Sequence, residues 1–578
     1  MAATKAGTQG AQLTFQKAGS TTALQKGHKA AKLVFFRKMS FKEAFALAQR
    51  ERALSTKKSG NSFTMPFRTK MSPAEYAAAK LAARHNTLAP TGHPINPRFA
   101  SRPDIGLSSV NFEGMADSSF ICQPFGCQPP DMALAAAPGN VVQAINTSVA
   151  VYNPTTQVTE LGWPLPFNDF FAGLPGAVAS CDPFGPFLSD TSAFYDPVRG
   201  RVWVSISQFD GPFIGDPSCP DFSFTWYAVS LDSNLNDGWY IYGFENDLGQ
   251  TEFTDYPHLG YDDSQGTIET TYNDFNFSTG FFDWAEAFYA DKVAMEAGNP
   301  FPSTATYFGF NCFGGPCGTG FFLDTINPAD MKTYSGPDPS AILNTTAFNF
   351  SNGGNGFCGS PNPCDNVFIF AFSNPLGFPS AAFNIDTLSN SWVFPPAADV
   401  PTFGGPCLFC VETLDNRISA KPIYSPKRKS LTYALETGAF NGTQVVPAVL
   451  YDNVSVNYNP TLVTMSTTDL GEALIVGSGD TAFSFGTTYQ KRNGDIFLLT
   501  DTMSGTTYPG AVYQKDANAD PRGFFEPQKT FKNGTGPDIF DARWGDYEAA
   551  SEDGVNVWMA SQFINGSGDW DTWMGIVF

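Results

Sequence analysis

The chain is 578 residues long, with a formal net charge of −21, 15% aromatic and 15% charged residues, 54 Gly and 43 Pro. That composition suits short strands joined by long turns and argues against a helical bundle or a disordered body. There is no apolar run long enough to span a bilayer as a helix.

The charge is unevenly divided. Residues 1–100 hold 17 Lys+Arg against 3 Asp+Glu, which leaves 17 basic and 52 acidic residues for the rest. So acidic a body is a poor nucleic-acid binder, and its charge suits a solubilised extracellular protein or a cation binder.

In chain order, Met1-Ala-Ala-Thr-Lys5 opens no apolar stretch of signal-peptide length, and Leu33-Val-Phe-Phe36 is too brief to be one. Ser40-Phe-Lys-Glu43 and Ser72-Pro-Ala-Glu75 are capping boxes, which predict helices over about 40–54 and 73–85. Residues 1–104 therefore read as a basic leader with two short helices. It is either a flexible segment or a pro-segment lying on the acidic body of residues 105–578. Val141 to Ile145 and Ser148 to Tyr152 read as a hairpin; Phe222 to Leu231 and Trp239 to Phe244 as strands. A short helix is expected near Asp291-Lys-Val-Ala-Met295, and loops over the Gly-, Pro- and Cys-rich residues 351–410.

One phrase recurs: strand, polar turn, strand. Asp190 to Tyr195 turns at Asp196 to Gly200 into Arg201-Val-Trp-Val; Asp255 to Tyr261 turns at Asp262 to Gly266 into Thr267-Ile-Glu-Thr. Tyr424, Tyr489 and Ala550 stand at similar turns, and Phe383 to Trp392 is a weaker copy. The close turns are separated by 66, 65 and 61 positions. Units of this size suit propeller blades, and the β region divided by a repeat of about 65 residues predicts seven four-stranded blades, with six or eight as alternatives. Ring closure should pair an early strand near Val141–Tyr152 with the C-terminal strands, which removes exposed sheet edges.

The ten cysteines all follow residue 120. Cys122/Cys127, Cys312/Cys317, Cys358/Cys364 and Cys407/Cys410 form short local pairs and leave Cys181 with Cys219, a pattern of disulfides in an oxidising compartment. Zinc or redox chemistry is the alternative for Cys407-Leu-Phe-Cys410.

The order PPD…PGNVVQAIN, YDPVRGRVWV, DYPHLGYDD, LDNRISAKPIY and RWGDYEAAS resembles bacterial secreted proteins of the sialidase-like, Asp-box propeller type, over roughly residues 105–578. The resemblance implies a propeller that is secreted or held at the cell surface. A sialidase needs three Arg for the substrate carboxylate, a Tyr–Glu nucleophile pair and an Asp acid/base. Arg417 and Arg543 fill two of the Arg places and Arg102 faintly matches the third. Ser551-Glu-Asp553-Gly554-Val-Asn-Val-Trp558 is an Asp-box-like phrase with shifted Gly spacing.

The recurring phrase sets out the site residues. Asp190, Asp255, Asp480 and Asp546, with Asp415 as a looser match, stand near the starts of strands that would ring a channel. There they would form a hard-cation site of the Ca²⁺ kind or cap their own turns. Asp255, His258 and Asp546 are the catalytic candidates; His258 is the sole histidine after residue 100. Arg417, Arg543, Trp544 and Tyr547 are ligand-binding candidates, through bidentate guanidinium contacts and ring stacking, with pairing of each Arg to its neighbouring Asp as the alternative. The function expected is ligand binding, of a glycan or another extracellular ligand, at the channel mouth. The alternatives are a glycoside hydrolase, sialidase-like or using another carboxylate pair, and a structural cell-surface protein.

Overall fold

The computed structural model describes residues 2–5, 12–19, 29–55, 68–92, 107–117, 129–172, 174, 187–210, 222–248, 252–314, 317, 321–331, 341–348, 364–402, 404–537 and 543–578. They are mostly strand, in antiparallel units that follow one another along the chain.

The hairpin turns show why the recurring phrase folds as it does. The Asp196 carboxylate accepts from the backbone N–H groups of Val198 at 2.7 Å and Arg199 at 3.2 Å. Asp262 does the same for Ser264 at 2.7 Å and Gln265 at 3.2 Å. Gly200 and Gly266 close these turns at φ +65°, a conformation that favours glycine.

The first unit consists of Ala133–Ala137, Asn140–Ile145, Ser148–Asn153 and Val158–Thr159, with Leu165–Pro166 beside its third strand. The second is Phe187–Asp196, Arg201–Asp210, Phe222–Ser230 and Trp239–Glu245. The third is Glu252–Asp262, Thr267–Asn276, Phe282–Asp291 and Thr304–Phe313. Asn327–Pro328, Ile342–Phe348, Cys364–Ser373 and Ser380–Trp392 form the fourth. Ile423–Ser425, Ser430–Phe440, Val445–Asn459 and Thr464–Ile475 form the fifth, and Ala482–Gln490, Ile496–Ser504, Thr507–Asp516 and Lys529–Lys532 the sixth. The last joins Ala549–Glu552, Val557–Ile564 and Trp570–Val577 to the early strand Leu107–Ala116.

Each unit packs face to face on the next. In Arg201–Asp210, Val202, Val204 and Ile206 face the first unit while Trp203 faces the third, the period of two expected of a strand. Because both faces are buried, such strands read as nearly continuous apolar runs. The sheet-to-sheet cores continue in order around the molecule, and Phe112, Trp558 and Met574 of the last unit pack on Val141, Ala150 and Tyr152 of the first. The leading strands are likewise neighbours in cyclic order, Ala549–Glu552 lying beside Ala133–Ala137. Asp330–Met331 pairs in parallel with both Glu252–Asp262 and Ile423–Ser425.

Three expectations are corrected. The strand that joins the C-terminal sheet is Leu107–Ala116, not the 141–152 hairpin, which lies in the first unit. Residues 351–410 are not all loop: Cys364–Ser373 and Ser380–Trp392 are long strands, and Ala398–Thr402 pairs with Gly405–Val411. The apolar run Val367 to Phe372 is wholly buried, but its strand signal was obscured by the flanking Gly and Pro. For the same reason Phe383 to Trp392 lies in one continuous strand, Ser380–Trp392, without the turn expected of a repeat copy.

The leader helices are Phe41–Ser55 and Pro73–Ala83, the latter with the Ser72–Glu75 capping box formed. Asp291 caps the short helix Lys292–Glu296. Leader strands add to outer edges of the body: Lys32–Met39 pairs with Trp239–Glu245, and Gln12–Lys17 with Thr304–Phe313. Cys312–Cys317 and Cys407–Cys410 are disulfides, and Cys364 is disulfide-bonded. Cys122, Cys127, Cys181, Cys219 and Cys358 lie outside the described residues. Among the described residues, no helix is long and apolar enough to cross a membrane.

Candidate functional site

The leading strands do not run straight into the ring. The second unit slips register between Ser189 and Ser192, the third between Asp255 and His258, and the sixth between Ser484 and Thr487. At these bulges Asp190, Tyr256 and Phe485 hold φ of 58°, 57° and 54°, and Asp131 holds 35° just before the first unit. Non-glycine residues adopt this region rarely, and strained backbone of this kind concentrates at functional sites. Here it re-aims the side chains where the leading strands come together.

Asp131, Asp190 and Asp546 converge there, each buried, with ligand oxygens all within 4.8 Å of one another. The N–H of Asp546 donates to Asp131 Oδ1 at 2.6 Å. Asn146 Nδ2 donates to Asp131 Oδ2 at 2.8 Å, while Asn146 Oδ1 accepts from the N–H of Asp190 at 2.7 Å. Burial, followed by the Asp546 charge, pushes Asp131 up to about 8. Burial followed by Asp255, Asp131 and Asp546 holds Asp190 well above the carboxylate range. Asp546 is also raised by burial, which outweighs the opposing charges of Arg543 and Arg417. Crowded buried carboxylates of this kind keep a proton or take a counter-cation. Ca²⁺–oxygen distances of about 2.3–2.6 Å put oxygens around one ion up to about 5 Å apart, so this donor set fits a hard cation.

Of the four Asp residues expected to gather, Asp190 and Asp546 do so, while Asp255 pairs with Arg68 at 3.3 Å and acts on both of them through its charge. Asp480 does not: its carboxylate accepts from the N–H of Gly505 at 2.9 Å and caps a turn. Its phrase resembles the others, but the sixth unit has Phe485 at its bulge, five residues on. Asp131 went unselected, although Asp131-Met-Ala, Asp190-Thr-Ser-Ala and Asp546-Tyr-Glu-Ala share an acid followed closely by small strand residues.

Arg417 grips Asp415 with two bonds, Nε to Oδ1 at 2.7 Å and Nη2 to Oδ2 at 2.9 Å, and lies 4.5 Å from the Tyr256 ring centre. Arg543 Nη2 pairs with Asp546 Oδ1 at 2.6 Å. Burial alone would raise Asp415, but the Arg417 charge and hydrogen bonds hold it below its ordinary value. Tyr547 donates its hydroxyl to Thr191 O at 2.9 Å. Trp544 turns away from the cluster into an apolar core, where its Nε1 donates to Asp501.

His258 packs edge-on against Tyr256, with ring centres 4.5 Å apart. Burial, reinforced by Arg417 and Lys421, lowers it to about 3, so it is neutral at physiological pH and a weak base. It lines a cavity of about 40 Å³ with Thr191, Ser192, Thr487, Thr488 and Glu548. That volume holds on the order of a few waters, so a larger ligand would have to sit outside it. The leader reaches the neighbouring strands too: Arg68 pairs with Asp255 at 3.3 Å and Lys80 with Glu412 at 2.6 Å.

No family model matches the chain, and no curated protein matches it. Among solved structures it is similar to a polysaccharide lyase, at 12% identity over 85% of this chain and 96% of that one, with a TM-score of 0.37. A hypothetical selenium-binding protein from Sulfolobus tokodaii is 10% identical over 80% and 99% of the two chains, with a TM-score of 0.33. The Penicillium chrysogenum alpha-L-arabinanase complexed with arabinobiose is 10% identical over 80% and 98%, with a TM-score of 0.31. Likenesses this shallow bear on neither activity nor blade number.

Proposed function

We propose that this chain is a secreted, seven-bladed β-propeller that binds a glycan at one mouth of its central channel. The blade count is supported by the cyclic succession of four-stranded units and by the packing of the last unit on the first. Secretion is supported by the disulfides. The observation that carries the binding reading is the gathering of Asp131, Asp190 and Asp546 beside Arg417, Arg543, Tyr256 and Tyr547, with the Asp255 charge acting on Asp190 and Asp546. Carboxylates and guanidinium groups hydrogen-bond sugar hydroxyls, and aromatic rings stack on sugar faces. Asp131, Asp190 and Asp546 would hold a hard cation such as Ca²⁺, which would neutralise their repulsion and offer sugar hydroxyls a Lewis acid.

A hydrolase on the same residues is the second reading. It is favoured by the proton that Asp131 keeps up to about 8 beside the Arg-paired Asp546. A carboxyl group that keeps its proton near neutral pH serves as the general acid of glycoside hydrolysis. A glycan array run with a panel of chromogenic glycosides separates the readings. Binding without turnover supports the binding module, whereas turnover abolished in Asp546→Asn and Asp255→Asn supports the hydrolase. Neither binding nor turnover overturns both and leaves a structural surface protein.

A further inference from the structure

The leader places one guanidinium group at the channel mouth, and its surroundings form a built receptor. Arg68 Nη1 lies 3.3 Å from Asp255 Oδ2, and each side chain is only 10% exposed. The Arg68 guanidinium carbon lies 5.1 Å from the ring centre of Phe253 and 5.7 Å from that of Phe209. These rings belong to a separate apolar cluster with Phe187 and Phe275, between the second and third units. Behind them, Arg417 Nη2 donates to the Arg68 carbonyl oxygen at 3.4 Å and so helps to fix the backbone that delivers the side chain. Asp255 stands directly before Tyr256, whose φ of 57° marks the bulge in that strand.

A carboxylate flanked by two aromatic faces in a desolvated pocket is selective for a flat, weakly hydrated cation. Guanidinium stacks on rings and hydrogen-bonds in its own plane, whereas an ammonium group is a compact, strongly hydrated charge. We propose that Asp255, Phe209 and Phe253 form a guanidinium-binding cage for an arginine side chain of a peptide ligand, which the leader fills in cis with Arg68. The cage is a property of the body, since all three residues lie in strands of the second and third units. The leader holds its place through further ion pairs, Lys70–Asp324 at 3.5 Å, Lys80–Glu412 at 2.6 Å and Arg84–Asp399 at 3.2 Å. A tethered occupant has a high effective concentration and masks the cage from free ligand until the leader is displaced. The inference goes beyond glycan binding and stands or falls separately from it.

The test uses full-length chain carrying Arg68→Ala, with ethylguanidinium and acetyl-arginine amide as probes in titration calorimetry. Arg68→Ala is expected to take up one equivalent of either probe at least about tenfold more tightly than wild type, because the internal competitor is gone. Ethylammonium should bind more weakly than ethylguanidinium. Adding Asp255→Asn should abolish uptake; if that variant is poorly folded, Phe253→Leu, which keeps the apolar contact but removes the ring, should weaken it. Uptake by Arg68→Ala no tighter than by wild type, or uptake unchanged by both further substitutions, overturns the proposal. The glycan array is read on the same samples, so loss of sugar binding with retained guanidinium uptake separates the two readings.

Discussion

The backbone N–H of Asp546 donates to the carboxylate of Asp131 at 2.6 Å, across the seam where the end of the chain meets the first unit. The same carboxylate accepts from Asn146, whose amide oxygen holds the N–H of Asp190 in the second unit. Three leading strands are thus tied together through two side chains, Asp131 and Asn146. The carboxylate cluster and the packing of the last unit on the first are therefore one construction: the hydrogen bonds that align the strands also hold the charges in place.

Glu269 gives a sign-definite pH test away from the mouth. Burial pushes it up to about 8, although Tyr289 and Asn344 donate hydrogen bonds at 2.6 and 3.1 Å that favour the ionised form. A folded value above the unfolded value of about 4.3 means that the native state binds the extra proton. Its stabilising effect is complete below about pH 4 and is lost as pH rises through about 8. Glu269→Gln keeps an amide hydrogen there permanently, and rotation of the Asn344 amide can accommodate it. Urea unfolding at pH 5.5 and 8.5 should show the variant losing about 2–4 kcal/mol less than wild type over that interval. Parallel losses in the two proteins would refute the assignment.

Much of this construction was legible in the residues. The Asp–Gly turns at 196–200 and 262–266 carry their own hydrogen-bonding chemistry, and both leader helices announce themselves by their capping boxes. Cys364–Ser373 was missed because Phe368 to Phe372 has both faces buried and shows no alternation, while its surroundings are rich in Gly and Pro. The site was half legible. Asp190, within its strand, and Asp546, just before its own, stand in a recognisable phrase, but Asp480 shares that phrase without sharing the bulge. No local pattern tells which Asp a register slip will turn toward the ring, and none tells that Arg68, 187 positions away, reaches Asp255.

The carboxylate cluster should respond to a divalent cation. Ca²⁺ bound by Asp131, Asp190 and Asp546 only in the folded state would add about 2.7 kcal/mol of stability at a hundredfold excess over Kd. Thermal melts in EDTA and then in added Ca²⁺ should show an upward shift in wild type and a smaller one in Asp190→Asn. A wild-type melt unmoved by Ca²⁺ and by Mg²⁺ would remove the cation from the proposal and leave a proton shared among the acids.

Lys80 is the strongest fastening of the leader helix. It is 9% exposed, pairs with Glu412 at 2.6 Å and donates to Thr413 Oγ1 at 3.0 Å, while Tyr76 donates to Glu412 at 2.7 Å. Breaking a buried pair from one side costs about 3 kcal/mol. That cost should fall on docking of Pro73–Ala83 and not on the sheets. In Lys80→Ala, amide exchange across this helix should accelerate on the order of tenfold to a hundredfold, with strand amides unchanged. Equal acceleration throughout would mean that leader and sheets open as one unit.

Closure itself can be probed at Gly114, in the strand that the early chain contributes to the last unit. A Cβ there would meet Gln143 Oε1 at 2.4 Å and Thr572 Oγ1 at 2.5 Å. Neither neighbour can give way freely. Gln143 Oε1 accepts from the N–H of Met115 at 3.0 Å, Thr572 Oγ1 donates to Met115 O at 2.7 Å, and both residues are fully buried. The Met115–Gln143 bond also links the two sides of the seam, as does a 3.3 Å bond from Thr572 Oγ1 to Gln143 Oε1, since Gln143 belongs to the first unit and Met115 and Thr572 to the last. Gly114→Ala should therefore cost about 1–3 kcal/mol by overpacking. Gly139, whose added Cβ would meet nothing within 4 Å but whose φ is +86°, supplies a control for backbone strain alone. Chemical unfolding of both variants reads the two costs. If Leu107–Ala116 closes the ring, Gly114→Ala should also speed amide exchange in Trp570–Val577 and leave the third and fourth units as they are. A destabilisation spread evenly over all units, or none at all, would show that this strand is not the closing element.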